Sequence, residues 1–455
     1  MNNIILLSID TLRADRLGCY GYDRPNTPNL DRLAAKSVRF SQAISGGSWT
    51  QAAFPVILTS TYASMYGGCL GPLSSERPSP VEILAEHGYT TGGVSSSPLL
   101  SRAYGYDRGF DDFFELVPEE KDPFLRKIRG GQYLLRNPLI HYVSQLLGKS
   151  LRPARLYVSA KKVNQAVYQI IDKAREPFFV WAHYMDVHWP YHLEEDLTDP
   201  QAIVQTWRDI THLHQVNWHG ASITSAQQNH YKSLYDRAVQ YIDGQIGHLL
   251  DYLDKSGHAE NTVIIIVSDH GEEFLERTHW GHVETNLYDE IVKVPLIIRL
   301  PGLADGQVVQ HQVRTLDIMP TILRLCSCPL PDELEGCSLI PLWSGNESQY
   351  DGVIAISERW RDEGDLSHII SLRTDNFKYI WNDQNPNQPS LYNLQIDPEE
   401  KINVVTQYLE TAGKFQSIID QHRQRVAETM PIGKVAKPGL DKEVLERLRG
   451  LGYLE

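Results

Sequence analysis

The sequence predicts an α/β fold: a large, mainly parallel sheet sandwiched by helices, with a small antiparallel sheet appended at the C-terminal end. Three observations carry this reading. Residues 4–9 (IILLSI), 178–182 (FFVWA) and 263–267 (VIIIV) are short, almost continuously apolar runs rich in β-branched or aromatic side chains. A strand buried on both faces of a parallel sheet has this composition. Helical patterns lie between the runs, over residues 30–36, 81–87, 158–174 and 231–253, and such alternation argues for helices covering a parallel sheet. Each run also ends in polar side chains: Asp10 after the first, Asp186 and His188 after the second, Asp269 and His270 after the third. In parallel sheets, sites form at the carboxyl ends of strands.

Taken in chain order, the opening MNNIILLSID resembles a signal peptide only superficially. It has no basic start, and Ser8 and Asp10 cut the apolar run short. No stretch approaches the roughly 20 apolar residues that span a bilayer, so a cytoplasmic protein is expected. Residues 48–59 open a helix at Ser48-Trp49-Thr50. A hydroxyl at a helix start is commonly an N-cap, but it also sits in the positive end of the helix dipole. Locally, both readings of Thr50 stand. Between residues 121 and 162 there are ten Lys and Arg against one Asp, with apolar residues interleaved. This reads as basic surface helices, or as a face that meets a membrane or polyanion. Residues 194–230 read as a long insertion that could serve as a lid. Its His212, His214, His219 and His230 lack the spacing of a ligand set. Beyond about residue 341, strand-like runs at 353–357, 369–373 and 377–381 and a closing helix near 440–450 make up the small sheet. The expected division is a catalytic region, 1–340, and a small α+β region, 341–455.

Composition bounds the rest. The chain has 455 residues, 42% hydrophobic and 22% charged, which excludes collagen, coiled coil, a disulfide-stapled mini-protein and wholesale disorder. Its net charge of −14 argues against a broad nucleic-acid binder, which needs a positive footprint. Cys19, Cys69, Cys326, Cys328 and Cys337 show no zinc-site spacing and read as reduced thiols.

The residues able to carry chemistry are few. Asp10, Asp269 and His270 offer two carboxylates and an imidazole, a donor set for Mn²⁺ or Zn²⁺ rather than for Ca²⁺ or Mg²⁺, which favour oxygen shells. A hydroxyl beside such a cation, Thr50, could become an alkoxide-like nucleophile. His188 and His282, in Asp186-Val187-His188-Trp189-Pro190 and His279-Trp280-Gly281-His282, could stabilise an oxyanion or protonate a leaving oxygen.

Several blocks, in order, resemble the sulfatase family of the alkaline phosphatase superfamily. They are residues 3–21 (NIILLSIDTLRADRLGCYG), 186–191, 262–272, 287–301 (LYDEIVKVPLIIRLP), 372–381 and 391–403 (LYNLQIDPEEKIN). The resemblance implies that Asp10, Asp269, His270 and Thr50 hold one divalent metal, that Thr50 is the nucleophile, and that His188 and His282 contact the ester. The chain also departs from the family pattern. Where sulfatases carry Cys-x-Pro-Ser-Arg, with the Cys converted to formylglycine, this sequence has Thr50, Ala52, Ala53 and Phe54, so no formylglycine is expected. The second acid of the usual Asp-Asp pair is Thr11, the ligand that is often Asn is His270, and the lysine expected near His282 is absent. Such a set resembles single-metal members with a Thr nucleophile. The leading expectation is a metal-dependent hydrolase of phosphate esters, namely phosphodiesters or phosphonate monoesters, with a covalent intermediate. The rivals are a transferase of a phospho-substituent onto a glycan or lipid, a sulfuric ester hydrolase, and a non-catalytic binder on the same scaffold. The partner is then a small anionic ester, free or linked to a glycan or lipid, and not nucleic acid.

Overall fold

The computed structural model describes residues 1–118, 157–193, 200–277, 279–282, 286–350, 354–360 and 368–429. Its main sheet has eight strands: β1 (Asn3–Ile9), β2 (Val38–Ile44), β3 (Thr90–Ser95), β4 (Asp112–Glu115), β5 (Phe178–Tyr184), β6 (Thr262–Ser268), β9 (Lys293–Arg299) and β10 (Gln307–Arg314). The short pair β7 (Glu273–Phe274) and β8 (Trp280–Gly281) forms a separate hairpin between them. The order across the sheet is β10-β2-β9-β6-β1-β5-β3-β4. Only β9 runs antiparallel to its neighbours. The three apolar runs read from the sequence are adjacent central strands, and every residue of β1, β5 and β6 is buried.

Alternation within β1 divides the core. Ile5, Leu7 and Ile9 face one layer with α1 (Pro28–Ala34), α4 (Ala160–Lys173) and α6 (Ser225–Lys255). Ile4 and Leu6 face the other layer with α2 (Thr50–Thr59), α3 (Pro80–Glu86) and α7 (Ile318–Leu325). Burying each such Leu, Ile or Val side chain contributes about 1.5–3 kcal/mol, which is why these strands occupy the centre. A second, four-stranded antiparallel sheet follows, in the order β11 (Ala355–Trp360), β12 (His368–Arg373), β13 (Phe377–Asn382), β14 (Ser390–Asn393). Its Ile370, Leu372, Tyr379 and Leu391 pack with Phe415 and Ile419 of α8 (Leu409–Glu428). Val56 of α2 belongs to this same cluster, so α2 is wedged between the two sheets.

The structure differs from the sequence reading in detail. The basic segment 121–162 lies outside the described residues except for 157–162, and the helix expected near 440–450 lies outside them entirely. Residues 200–230 are largely helical: α5 (Pro200–His219), a link, and the start of α6. The latter helix begins before residue 231 because Thr224 and Gln227 form a capping box, a signal that hydrophobic spacing alone does not register. All five cysteines are free. No described helix is long and apolar enough to cross a membrane.

Candidate active site

The register of the central strands sets the site. Ile9 pairs with Tyr184 on one side and with Ser268 on the other. The next residues, Asp10 and Asp269, therefore leave the sheet at the same level. The Ser268 hydroxyl locks this edge: it lies 2.7 Å from the carbonyl oxygens of both Ile9 and His270, donating to one of them, and accepts the Leu12 amide at 2.8 Å. Gly271 is required by close approach, since a Cβ there would run into the Glu290 carbonyl. Thr11 adopts φ 57°, a left-handed conformation that a β-branched residue seldom takes. Strain of this kind concentrates at functional sites. The Thr11 hydroxyl donates to Val187 O at 2.9 Å, tying the first strand end to the loop that carries His188.

Asp10, Asp269 and His270 each present an atom within 4.8 Å of the others, and all three residues are buried. Asp269 Oδ1 accepts the backbone amides of Thr11 (3.2 Å) and His270 (2.9 Å), which turns Oδ2 toward Asp10 and His270. His270 Nδ1 lies 2.9 Å from Gly271 O, so its donor side is engaged and Nε2 faces the cluster, 3.5 Å from Asp269 Oδ2 and 3.8 Å from Asp10 Oδ1. Asp10 Oδ1, Asp269 Oδ2 and His270 Nε2 are fully buried without hydrogen bonds. Three converging donor atoms left bare in a protein interior are costly unless a cation joins them. The donor set, two carboxylate oxygens and one imidazole nitrogen, fits a divalent metal. The charges agree. Burial raises the carboxyl of Asp10, but His188, His183 and His270 outweigh it and hold that group below the usual range. Burial and the Asp10 carboxylate together push Asp269 up.

Around this cluster stand the other residues singled out from the sequence. Thr50 opens α2, and its Oγ1 is 3.4 Å from Asp10 Oδ2. Its helix is held close by Gly47, where a Cβ would sit 2.5 Å from the carbonyl carbon of Ala52. The ring of His282 lies 4.6 Å from that of His270 and 5.0 Å from that of His188. Desolvation lowers His188 and His282, the latter to about 4. His188 Nδ1 is 2.7 Å from Trp189 O. Of the lid-region histidines, His212 meets Tyr231 and His230 meets Asp209, while the side chain of His219 is not described.

Two side chains of the site were missed from the sequence. His183, in β5, places Nε2 3.3 Å from Asp10 Oδ2 and Nδ1 3.1 Å from Ser8 Oγ. An imidazole closing a run of apolar strand residues was its signal. Glu272 places Oε1 2.9 Å from His282 Nδ1, and burial pushes its carboxyl up to about 7. It follows Asp269-His270-Gly271 directly, but its partner is ten residues further along the chain.

Comparison with known proteins now adds the family. The sulfatase family model matches residues 2–327, and the model of the C-terminal region of N-sulphoglucosamine sulphohydrolase matches residues 279–429. The chain belongs to the sulfatase family. This sulfatase-family chain is 21% identical to an N-acetylglucosamine-6-O-sulfatase of Bacteroides thetaiotaomicron, over 94% of its own length and 87% of the relative's. Among solved structures, it shares its fold with the phosphonate monoester hydrolase of Agrobacterium radiobacter (TM-score 0.68, 20% identity, covering 94% and 96% of the two chains). It also shares it with a protein solved with its substrate D-glucosamine-2-N,6-O-disulfate (TM-score 0.71, 17% identity, 94% and 98% covered). Sulfatase-family membership makes the chain a hydrolase of the ester-cleaving kind.

Proposed function

We propose that this chain is a metal-dependent hydrolase of phosphate esters, acting on phosphodiesters or phosphonate monoesters through Thr50. The observation that carries the reading is the contact of Thr50 Oγ1 with Asp10 beside three bare, converging donor atoms. A divalent cation, with Mn²⁺ or Zn²⁺ favoured, held by Asp10, Asp269, His270 and the Thr50 hydroxyl, would supply positive charge to the ester and lower the pKa of that hydroxyl. As Thr50 Oγ1 attacks phosphorus, its proton passes to the neutral His282 or His188, the bond to the leaving alcohol breaks, and the imidazolium so formed hands that oxygen the proton. Water then attacks the phospho-Thr50 ester at phosphorus, releasing the product and restoring the hydroxyl. A threonine cannot be converted to formylglycine, so the elimination route open to that aldehyde hydrate is closed here. Renewed attack at phosphorus suits phosphoryl transfer better than sulfate release. The sulfuric ester reading rests on the family and on the sulfatase relative, and it predicts preference for sulfate esters.

A panel of chromogenic phosphomonoester, phosphodiester, phosphonate and sulfate substrates decides between these readings. The expected result is highest kcat/KM on the diester or phosphonate; dominance of the aryl sulfate overturns it. Turnover with an added acceptor alcohol separates hydrolysis from transfer. Treatment with a chelator is expected to abolish turnover and lower the thermal unfolding midpoint, with both restored by Mn²⁺ or Zn²⁺. Linkage adds about 2.7 kcal/mol at a free metal concentration 100 times Kd, because the cation relieves the paired buried carboxylates. A midpoint and rate indifferent to chelation exclude the metal.

Glu272 has a role that follows from its contact. An acceptor on His282 Nδ1 sets the imidazole with Nε2 toward the ester. Glu272→Gln is expected to lower kcat roughly tenfold or more through misorientation. The check is the pre-steady-state rate of leaving-group release, which stays at the wild-type value if His282 takes no part.

A further inference from the structure

The four-stranded sheet reaches α2 at both ends, through one buried side chain and its own backbone. Before the helix, the Glu358 amide donates to Gly46 O at 2.9 Å, Gly47 and Glu358 form an isolated bridge, and Ser357 Oγ donates to Ser45 O at 2.6 Å. The Ser45 hydroxyl in turn donates to the backbone carbonyl of Asp269. After the helix, the Glu358 carboxylate accepts the Ser64 amide at 2.9 Å, the Ser64 hydroxyl at 2.5 Å and His422 Nε2 at 2.7 Å. Glu358 and His422 are wholly buried, 0% and 1% exposed. Burial raises the Glu358 carboxyl, yet His422 and His368 outweigh it and hold the group well below its usual range, so it is ionised. On the other side of the same turn, the buried Arg77 guanidinium donates to Thr61 Oγ1 and to the carbonyls of Tyr62, Ala63, Met65 and Gly68. The turn after α2 is thus gripped between a buried anion and a buried cation.

We propose that Glu358 is a positioning residue for Thr50: its backbone and carboxylate clasp residues 45–64 at both ends and so fix where the Thr50 hydroxyl stands relative to Asp10. This rests on the reading of Thr50 as nucleophile. Charge-assisted hydrogen bonds are short and directional, and displacement of a reacting atom by about 1 Å can cost roughly 100-fold in rate. A glutamine at this position keeps the shape but supplies one carbonyl oxygen for three donors.

The test compares Glu358→Gln and Ser64→Ala with Leu391→Ala, which opens the same hydrophobic cluster from β14, at the opposite edge of the small sheet from Glu358. With the ester the wild type turns over best, Glu358→Gln is expected to lose roughly 10- to 100-fold in kcat, with KM and bound metal unchanged. Ser64→Ala loses less and remains available if the glutamine variant does not fold. Leu391→Ala lowers the unfolding midpoint at least as far and keeps kcat. Amide exchange is expected to rise within residues 45–64 in both clasp variants and not in Leu391→Ala. Wild-type kcat in the clasp variants, or unchanged exchange in that segment, overturns the proposal. If instead Thr50→Ala is as active as wild type, the nucleophile reading fails, and the exchange data alone decide whether Glu358 positions the helix.

Discussion

Thr50→Ala is expected to reduce turnover roughly 1,000-fold or more, leaving the fold and the metal-free unfolding midpoint close to those of the wild type. Thr50 is the first residue of α2, and Trp49, the preceding residue, makes no side-chain cap, so the change removes no helix cap. Alanine is also the best helix former. What is lost is the oxygen 3.4 Å from Asp10 Oδ2. On the proposed mechanism the change removes the covalent route itself, so the defect falls on kcat. Trapping a turnover mixture by acid quench and locating the phosphate by peptide mass spectrometry is the direct check. Label on Thr50 in the wild type and none in the variant is the expected pair of results. Label that persists in Thr50→Ala, or a variant with wild-type kcat, removes Thr50 from the mechanism. Thr50→Ser separates the hydroxyl from the methyl group and should retain a substantial share of activity.

How much of this was legible in the sequence follows from burial. β1, β5 and β6 are covered on both faces, so each residue is apolar and the run stands out. Their carboxyl ends then had to carry the polar groups, which is why Asp10, Asp269, His270 and His188 could be named before any coordinates. β2 and β10 lie at the margin of the sheet, where Arg39 and Gln42 are half-buried and Val308 is 49% exposed. Mixed exposure dilutes their pattern below recognition. The α8 helix went unnamed in the sequence reading, although its buried Ala412, Phe415, Ile419, His422 and Val426 lie three and four residues apart. One of those positions is a histidine, there because it meets Glu358. Thr11 illustrates a different limit. Its hydroxyl takes no place in the Asp10–Asp269–His270 cluster but ties Val187, and such a tether depends on the loop path, which no local pattern encodes. Glu272 was unreadable because its contact with His282 depends on where a loop returns that histidine in space.

Lys378→Met is expected to be the most destabilising substitution considered, costing about 3–5 kcal/mol. Lys378 is 0% exposed. Its ammonium lies 2.9 Å from Asp289 Oδ1 and 3.0 Å from Glu400 Oε1. Arg373 also grips Asp289, with contacts of 2.9 and 3.3 Å. Asp289 opens the helical turn Asp289–Val292. The same turn holds the Gly271 amide through the Ile291 carbonyl, so the network braces the loop that carries Glu272 and His282. Without the lysine, Asp289 keeps Arg373, but among the described residues Glu400 retains the Asp289 amide at 2.7 Å and the more distant Arg277 at 3.8 Å. The pH dependence has a definite sign. Burial already raises the Glu400 carboxyl, with Lys378 opposing that rise and Asp289 adding to it; removing Lys378 raises it further. A carboxyl whose folded pKa exceeds its unfolded value contributes stability at low pH that is lost as pH climbs through the folded pKa. The deficit of the variant should therefore be greatest near neutral pH and shrink on acidification toward pH about 5. Lys378→Met combined with Glu400→Gln should recover part of the loss, since the unpaired buried charge, rather than the missing attraction, is its main source. Denaturant unfolding at neutral and acidic pH measures all three. A loss that is constant with pH, or a double variant no better than the single, would show that Glu400 stays neutral and that the lysine acts through packing alone.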